Sequence, residues 1–100
     1  MPAIQEISID NNRPLLKITF FRGIVLHIRY NDYDEYSYQL NFSQEPDDRL
    51  RFDNYDAKWF VSTRPHHYHP RGKKMATESP MNGDPQHDIP ILIKYIPIST

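Results

Sequence analysis

The sequence contains no cysteine, only three glycines and no long hydrophobic run. Without cysteine the chain has no disulfide, no thiolate zinc site and no cysteine nucleophile, which suits a reducing cytoplasm, the compartment that we expect. Three glycines leave neither a glycine-rich phosphate loop nor a Rossmann fingerprint. The longest aliphatic runs are three residues, at 24–26 and 91–93, so the sequence predicts neither contact with a membrane nor an export signal.

The length and composition are those of one small folded domain. With 100 residues, we predict a single domain over residues 1–100. Aromatic residues make up 13% of the chain, too many for a disordered protein, although the 38% hydrophobic content predicts a small core. The net charge of -1 excludes the uniformly basic surface of a non-specific DNA-binding protein.

Charge is unevenly distributed along the chain. Residues 31–48 contain six carboxylates and no lysine or arginine, whereas residues 49–74 contain seven bases and two carboxylates. Acidic turns are commonly solvated and need no functional explanation. The basic segment also contains three histidines and is suited to binding phosphate groups.

Alternating hydrophobic residues predict an α+β fold built on an antiparallel meander of four to five strands. Segments 15–21 and 24–30, joined by Arg22 and Gly23, are typical of a hairpin. Segments 36–42 and 49–53 repeat the alternation, which gives the sheet one apolar face that requires a cover. An edge strand precedes the hairpin, and a turn is expected at 11–14. The residues predicted to face inward are Ile24, Leu26, Ile28, Tyr30, Tyr36, Tyr38, Leu40, Phe42, Leu50 and Phe52.

The cover is predicted to be one short C-terminal helix packed on the apolar face. We expect Asp88 to be its N-cap, Pro90 to lie in its first turn and Pro97 to end it. A helix this short is marginal alone and must be held by docking. A strand over residues 91–96 is the alternative, because isoleucine favours strands. The residues with helical spacing are Ile89, Leu92, Ile93 and Ile96.

Residues 54–87 contain four prolines and little periodicity, which predicts a long loop rich in proline and histidine. Within it, Pro65 and Pro70 bracket the three histidines and favour an extended backbone. His67 and His69 are then expected on one side of the chain and His66 on the other. Two imidazoles are thereby placed to converge on one ligand.

Three interpretations of this histidine cluster remain open. The first is a metal site, in which neutral imidazoles bind the ion and another side chain completes the set. The second is a metal-independent ribonuclease site, in which histidine acts as acid or base on a ribose 2′-hydroxyl and a cation stabilises the phosphorane. The third is a polar loop without chemistry.

The strand at 49–53, which precedes the loop, has polar groups that favour the ribonuclease interpretation. Arg49, Arg51 and Asp53 share its outward face, and the outward residues of the strand at 36–42 are Ser37, Gln39 and Asn41. Arg51 and His27 are expected to belong to one polar face. Such a face beside a histidine loop is typical of an RNA-binding surface, where aromatic residues stack on bases. The aromatic residues available for stacking are Trp59, Phe60 and Tyr68.

The order of these motifs resembles the TumE-like toxins of bacterial and archaeal toxin-antitoxin pairs. The similar motifs are LHIR at 26–29, YSYQ at 36–39, RLRFDN at 49–54, PHHYH at 65–69 and the terminal helix. The resemblance spans roughly residues 15–96, and its specific part is the histidine loop together with Asp53 and Asn54. It implies a small toxin whose active surface is masked by a cognate helix-turn-helix antitoxin.

These observations together predict a toxin that acts on RNA. We expect His67 and His69 as acid and base, Arg51 as a transition-state cation and Asp53 as the group that orients a histidine. No cofactor is expected, and a homodimer through the exposed edge strand is a further expectation. The alternatives are a non-enzymatic protein-binding module and a histidine-ligated metal protein. The residues expected to bind RNA are Arg64, Tyr68, Arg71, Lys73 and Lys74.

Overall fold

The computed structural model describes residues 3–10, 15–55 and 60–97, which form one antiparallel sheet and one helix. Strands adjacent in sequence are adjacent in the sheet, so the predicted meander is confirmed. The described sheet has seven strands, however, and the prediction of four to five was too low. The strands are β1 (Ile4–Asp10), β2 (Leu15–Phe20), β3 (Val25–Tyr30), β4 (Tyr36–Asn41), β5 (Arg49–Asp53), β6 (His67–His69) and β7 (Thr77–Glu78).

The two additional strands come from the segment that was predicted to be an irregular loop. Strand β6 pairs with β5, with Asp53 opposite His67 and Arg51 opposite His69, and the two-residue β7 then pairs with β6. The prediction failed because these strands are too short to show periodicity. They form because the outer edge of β5 offers backbone groups that need partners. His67 and His69 therefore lie in the sheet.

The hairpin and the core agree with the alternation pattern. Strands β2 and β3 pair across a 3-10 turn at Phe21–Gly23. Tyr38, Leu40 and Phe52 are completely buried at the centre of the apolar face. Of the residues predicted to face inward, Tyr30 and Phe42 are only partly buried. The buried hydrophobic residues are Phe20, Ile24, Leu26, Ile28, Tyr36, Tyr38, Leu40, Leu50, Phe52, Met81, Leu92 and Ile96.

The C-terminal helix α1 (Pro85–Ile93) begins one turn earlier than predicted. Its N-cap is Asp84, whose side chain accepts a hydrogen bond from the backbone N–H of Gln86 at 3.1 Å, and Asp88 is therefore not the cap. Asp84 is favoured because proline follows it, and proline fits the first helical position without losing a hydrogen bond. Pro90 consequently lies inside the helix, and the helix ends at Ile93, four residues before Pro97.

The helix covers the apolar face, as predicted. Leu92 belongs to the same buried cluster as the sheet residues, and so does Ile96, just beyond the helix. The Tyr38 hydroxyl of β4 donates a hydrogen bond of 2.7 Å to Asp88 on the helix. The alternative prediction of a strand over 91–96 is wrong, because residues 91–93 are helical.

At the opposite edge of the sheet, β1 is the predicted edge strand. Its isoleucines Ile4, Ile7 and Ile9 are exposed. The turn expected at 11–14 lies outside the described residues, and dimerisation through this edge stays a prediction. In the part of the chain that the structure describes, no helix has the length and apolar character to cross a membrane.

Candidate functional site

The four residues predicted to be catalytic, Arg51, Asp53, His67 and His69, gather on the polar face of the sheet, opposite the helix. Alternation puts His67 and His69 on the same side of β6, as predicted, and their ring centroids lie 5.1 Å apart at an angle of 84°. His66 lies on the other side, where it stacks on Tyr36. The pairing of β5 with β6 then brings Arg51 and Asp53 beside the two imidazoles.

Asp53 lies at the centre of a polar cluster that also contains Arg51, His67 and His69. Its Oδ2 accepts a hydrogen bond of 2.5 Å from Arg51 Nε, and its Oδ1 lies 2.6 Å from His67 Nε2. The Nε2 atom of His69 lies 4.0 Å from Oδ2. Asp53 was predicted to face solvent, yet it is 4% exposed, because β6 extends the sheet and places His67 over it. Ser37, its partner on β4, is buried for the same reason.

His67 is fixed at both ring nitrogens. Its Nδ1 lies 2.8 Å from the Pro65 carbonyl oxygen, which only accepts, so Nδ1 carries a hydrogen and donates it. Its Nε2 lies 2.6 Å from Asp53 Oδ1. The residue is 1% exposed. His67 therefore lies beside Asp53 and offers almost no surface to a bound molecule.

A cavity of about 440 Å³ opens in front of this cluster. Both His67 and His69 line it, but 21% of the His69 side chain is exposed and only 2% of the His67 side chain. Four bases and two carboxylates line the cavity, so it favours anions. The lining residues are Asp47, Arg49, Arg51, Asp53, Tyr55, His67, His69, Gly72, Lys73 and Lys74.

The surroundings of His69 favour its neutral form. Burial is the main reason that its pKa is lowered from the usual 6.5. The charge of Asp53 acts in the opposite direction, but His67, Arg51 and Arg49 add to the lowering. His69 is therefore an unprotonated imidazole at neutral pH, which is the form that accepts a proton.

Arg51 is positioned by residues that were not predicted as site residues. Its Nη1 donates to Gln39 Oε1 at 3.3 Å, and its guanidinium lies 5.4 Å from the centroid of the Tyr55 ring. Gln39 in turn donates to Asn41 at 3.0 Å. The outward position of Gln39 on β4 was a usable signal, because the β4–β5 pairing places it directly opposite Arg51.

The residues predicted to bind RNA are divided among several places. Lys73 and Lys74 line the cavity. Arg71 instead pairs with Asp48, with Nε 2.5 Å from Oδ1. Arg64 lies over the ring of Phe60, which is 89% exposed. Trp59, the other aromatic residue considered for stacking, lies outside the described residues.

Tyr68 does not join the cluster. Alternation in β6 turns its side chain to the apolar face, away from His67 and His69. There its ring stacks on Phe52 at 4.4 Å between centroids and contacts Tyr95 edge-on at 5.6 Å. Tyr68 therefore packs between the sheet and the C-terminal segment and faces away from the cavity.

Three of the site residues also have the donor atoms of a metal site. One ligand atom each from Asp53, His67 and His69 can be chosen so that all three lie within 4.8 Å of one another. Two imidazoles and a carboxylate are a common set for divalent transition metals. In this arrangement, however, Arg51 already holds the carboxylate.

The comparisons with known proteins give one match. The family model described as toxin TumE matches residues 3–98, nearly the whole chain. No curated protein and no solved structure matches the sequence.

Proposed function

Since its match covers nearly the whole chain, this protein belongs to the TumE toxin family, and we propose that it exerts its toxicity by cleaving RNA without a metal ion. Membership of a toxin family implies an antitoxin as its partner. The single observation that carries the proposal is the positively charged cavity lined by a neutral, partly exposed imidazole. The RNA it cleaves is then that of the cytoplasm in which it is made.

His69 is the proposed base. A neutral imidazole removes the proton from a ribose 2′-hydroxyl, and the 2′-oxygen forms a bond to the adjacent phosphorus. The bond from phosphorus to the 5′-oxygen breaks, and the proton that His69 gained passes to that oxygen through water in the open cavity. The products are a 2′,3′-cyclic phosphate and a free 5′-hydroxyl.

Cations of the cavity are proposed to stabilise the charge on the phosphorane. Arg51 is the best placed, because its guanidinium lies beside His69 and is oriented by both Asp53 and Gln39. Lys73 and Lys74 contribute positive charge from the lining of the cavity. Fixed charges of this kind stabilise a transition state most when they need no reorganisation.

His67 and Asp53 are proposed to position the other two groups. His67 was predicted to be catalytic, but its burial and its two bonded nitrogens suit support of Asp53 better than contact with RNA. Asp53 holds Arg51 and lies near His69, so it fixes their spacing. Arrangements in which a buried carboxylate orients catalytic groups are common in enzymes.

Metal binding is the second candidate, because Asp53, His67 and His69 bring their ligand atoms together. An ion there would have to displace the guanidinium of Arg51, which lies 2.5 Å from Asp53 Oδ2. The Nε2 atom of His67, which would bind the ion, would also have to give up its contact with Asp53 Oδ1, since a metal-bound nitrogen carries no hydrogen. The ion pair with Arg51 favours the metal-independent reaction.

The proposal is tested by incubating the purified toxin with a labelled single-stranded RNA in the presence of EDTA. We expect cleavage to proceed and to leave 2′,3′-cyclic phosphate ends, identified by mass spectrometry. A 2′-O-methyl copy of the same RNA is the control and is expected to stay intact, because it lacks the attacking hydroxyl. Cleavage that stops in EDTA and returns with zinc or manganese would favour the metal site. Toxicity in cells with no cleavage of any RNA would favour a protein-binding toxin.

The proposed base also predicts the pH dependence of the reaction. Because the pKa of His69 in the RNA-free protein is lowered below 6.5, we expect kcat/KM for RNA cleavage to rise with pH below 6.5 and to be level from there to pH 8. The groups that face His69 and set this pKa are Asp53, His67, Arg51 and Arg49. A rate that continues to rise between pH 7 and pH 9 would show that another group is the base.

Folding must be measured over the same pH range. Burial that lowers the pKa of His69 also makes the unfolded chain the better proton acceptor. The contribution of His69 to stability is therefore complete above pH 6.5 and decreases as the pH falls toward its lowered pKa. A circular dichroism signal that stays constant across the range separates loss of the base from loss of the fold.

A further inference from the structure

The cavity at His69 is one end of a longer groove across the polar face of the sheet. A second cavity of about 180 Å³ shares Arg51 with the first, and a third of about 630 Å³ shares His27 and Gln39 with the second. The third also shares Arg49 with the first. Because each cavity adjoins the others through common residues, they form one continuous surface, here called the strand-face groove.

The sheet register builds this groove. One row of directly paired residues crosses five strands from β2 to β6, on the side opposite the helix. At the usual strand spacing the row is about 19 Å long, which exceeds the reach of a single phosphate group. The row consists of Lys17, His27, Gln39, Arg51 and His69.

The end of the groove far from His69 has two cations, Lys17 and Arg29, whereas the carboxylates Glu45 and Asp47 line the side of the third cavity nearer the first. Lys17 and Arg29 act together on His27, whose pKa is lowered first by burial and then by these two cations. Arg29 lines the second cavity and Lys17 the third. Among the described residues, no carboxylate lies within ion-pair distance of either cation. Both cations are exposed, and because neither has an ion-pair partner in the described part of the chain, their charge is available for a ligand.

We propose that the strand-face groove binds the backbone of single-stranded RNA, with Lys17 and Arg29 holding phosphates remote from the one at His69. The inference rests on the proposed function for the identity of the polyanion. It adds that the substrate extends over several nucleotides and that affinity arises partly away from the reacting bond. Gln39 and Asn41 provide amide groups along the floor, which suit contacts to ribose and phosphate.

The test measures binding separately from cleavage. A fluorescein-labelled 12-nucleotide 2′-O-methyl RNA, which cannot be cleaved, is titrated with the intact toxin, and anisotropy gives Kd at several salt concentrations. For the Lys17→Gln, Arg29→Gln double variant we expect Kd to rise about tenfold at 0.1 M salt, and the slope of log K against log salt to fall by about 1.4. A 4-nucleotide RNA is expected to bind more weakly than the 12-nucleotide RNA.

The matched control is Lys94→Gln, which removes one exposed positive charge just beyond the helix on the other side of the sheet. It is expected to leave Kd unchanged, whereas Arg29→Gln alone is expected to raise Kd.

Equal affinity of the double variant and the parent protein for the RNA would overturn the proposal. Displacement of the RNA by an oligoglutamate of equal charge at equal concentration would also overturn it, since the groove would then be a site for an acidic polypeptide such as an antitoxin segment. Because the probe cannot react, failure to cleave RNA does not affect this result.

Discussion

Replacing His69 with alanine is expected to lower the rate constant for RNA cleavage by about 10²–10⁴-fold, the usual contribution of a general base. RNA affinity is expected to change little, because the cations that line the cavity remain. The structure gives the reason for so large an effect on the reaction alone. The imidazole of His69 is partly exposed to the cavity, whereas that of His67 is buried beside Asp53 and has a partner at each nitrogen. The measurement is single-turnover cleavage of a labelled RNA, with toxicity in cells as a second readout.

The matched control is His66→Ala. It removes an imidazole from the same short segment, but one that faces the other side of the sheet against Tyr36. Cleavage by this variant is expected to stay within about twofold of the parent once the folded fraction is accounted for, since general-base catalysis is lost only with the base itself. Added imidazole is expected to restore part of the activity of the His69 variant, because the cavity is open and the missing side chain leaves space for it. Full activity without His69 would remove it from the mechanism.

The histidines of β6 show how much of a site can be predicted from the sequence of one strand. Alternation within β6 is local, so the sequence predicts that His67 and His69 face one way and Tyr68 the other. The structure confirms that geometry, and it also explains why Tyr68 packs on Phe52 away from the cavity. The same local rule groups Arg51 with Asp53 on β5. These pairs were predictable because their members are two residues apart.

The pairing between strands was not predictable in the same way. Residues 54–66 separate β5 from β6 and have no periodicity that fixes a register. The register places Asp53 opposite His67, and only that placement makes Asp53 a buried connector and His67 its support. The sequence therefore groups these side chains but does not reveal which histidine is exposed to the cavity. That distinction depends on burial created by long-range pairing.

The helix shows a similar limit. Asp84 and Asp88 both precede residues compatible with a helix, so local patterns allow either as the N-cap. Pro85 favours Asp84, because proline fits the first helical position. A long-range contact acts in the same direction, since Tyr38, fifty positions away in sequence, donates a hydrogen bond to Asp88. The local pattern does not reveal that contact, which uses the Asp88 carboxylate to bind the helix to the sheet.

Asp88→Asn is expected to lower the free energy of unfolding by about 2–4 kcal/mol at pH 7, through loss of charge-assisted hydrogen bonds in a buried position. Asp88 is completely buried. One oxygen accepts from Tyr38 at 2.7 Å and from the Gly83 backbone at 2.8 Å, and the other from the Asn82 backbone at 3.0 Å. In asparagine an NH2 group replaces one of the two oxygens. The groups that donated to that oxygen then face hydrogens, so at least one donor loses its acceptor. Urea denaturation followed by circular dichroism measures the loss.

The loss of stability expected for Asp88→Asn exceeds that of one hydrogen bond because a second tyrosine is linked to Asp88 through Tyr38. Since the Tyr38 hydroxyl donates its only hydrogen to Asp88, the neighbouring Tyr30 hydroxyl must donate to Tyr38, at 2.5 Å. Burial, with the carboxylate nearby, raises the pKa of Tyr38, so this chain of donors stays protonated. Removing the charge of Asp88 weakens the chain that joins β3, β4 and the helix.

The pH dependence of the free energy of unfolding below pH 3.8 distinguishes loss of the Asp88 charge from a simple loss of packing. Burial alone would raise the pKa of Asp88, but hydrogen bonds from His87, Tyr38, Asn82 and Gly83 outweigh it and lower the pKa below 3.8. A carboxyl group with a lowered pKa in the folded state contributes stability above pH 3.8 and loses it as the pH falls through the folded value. The difference in stability between the parent and Asp88→Asn is therefore expected to shrink on acidification below pH 3.8. His87→Ala is the control, since it removes an exposed partner of the same carboxylate and is expected to cost at most about 1 kcal/mol. Equal stability of Asp88→Asn and the parent at pH 7 would show that the buried carboxylate does not hold the helix on the sheet.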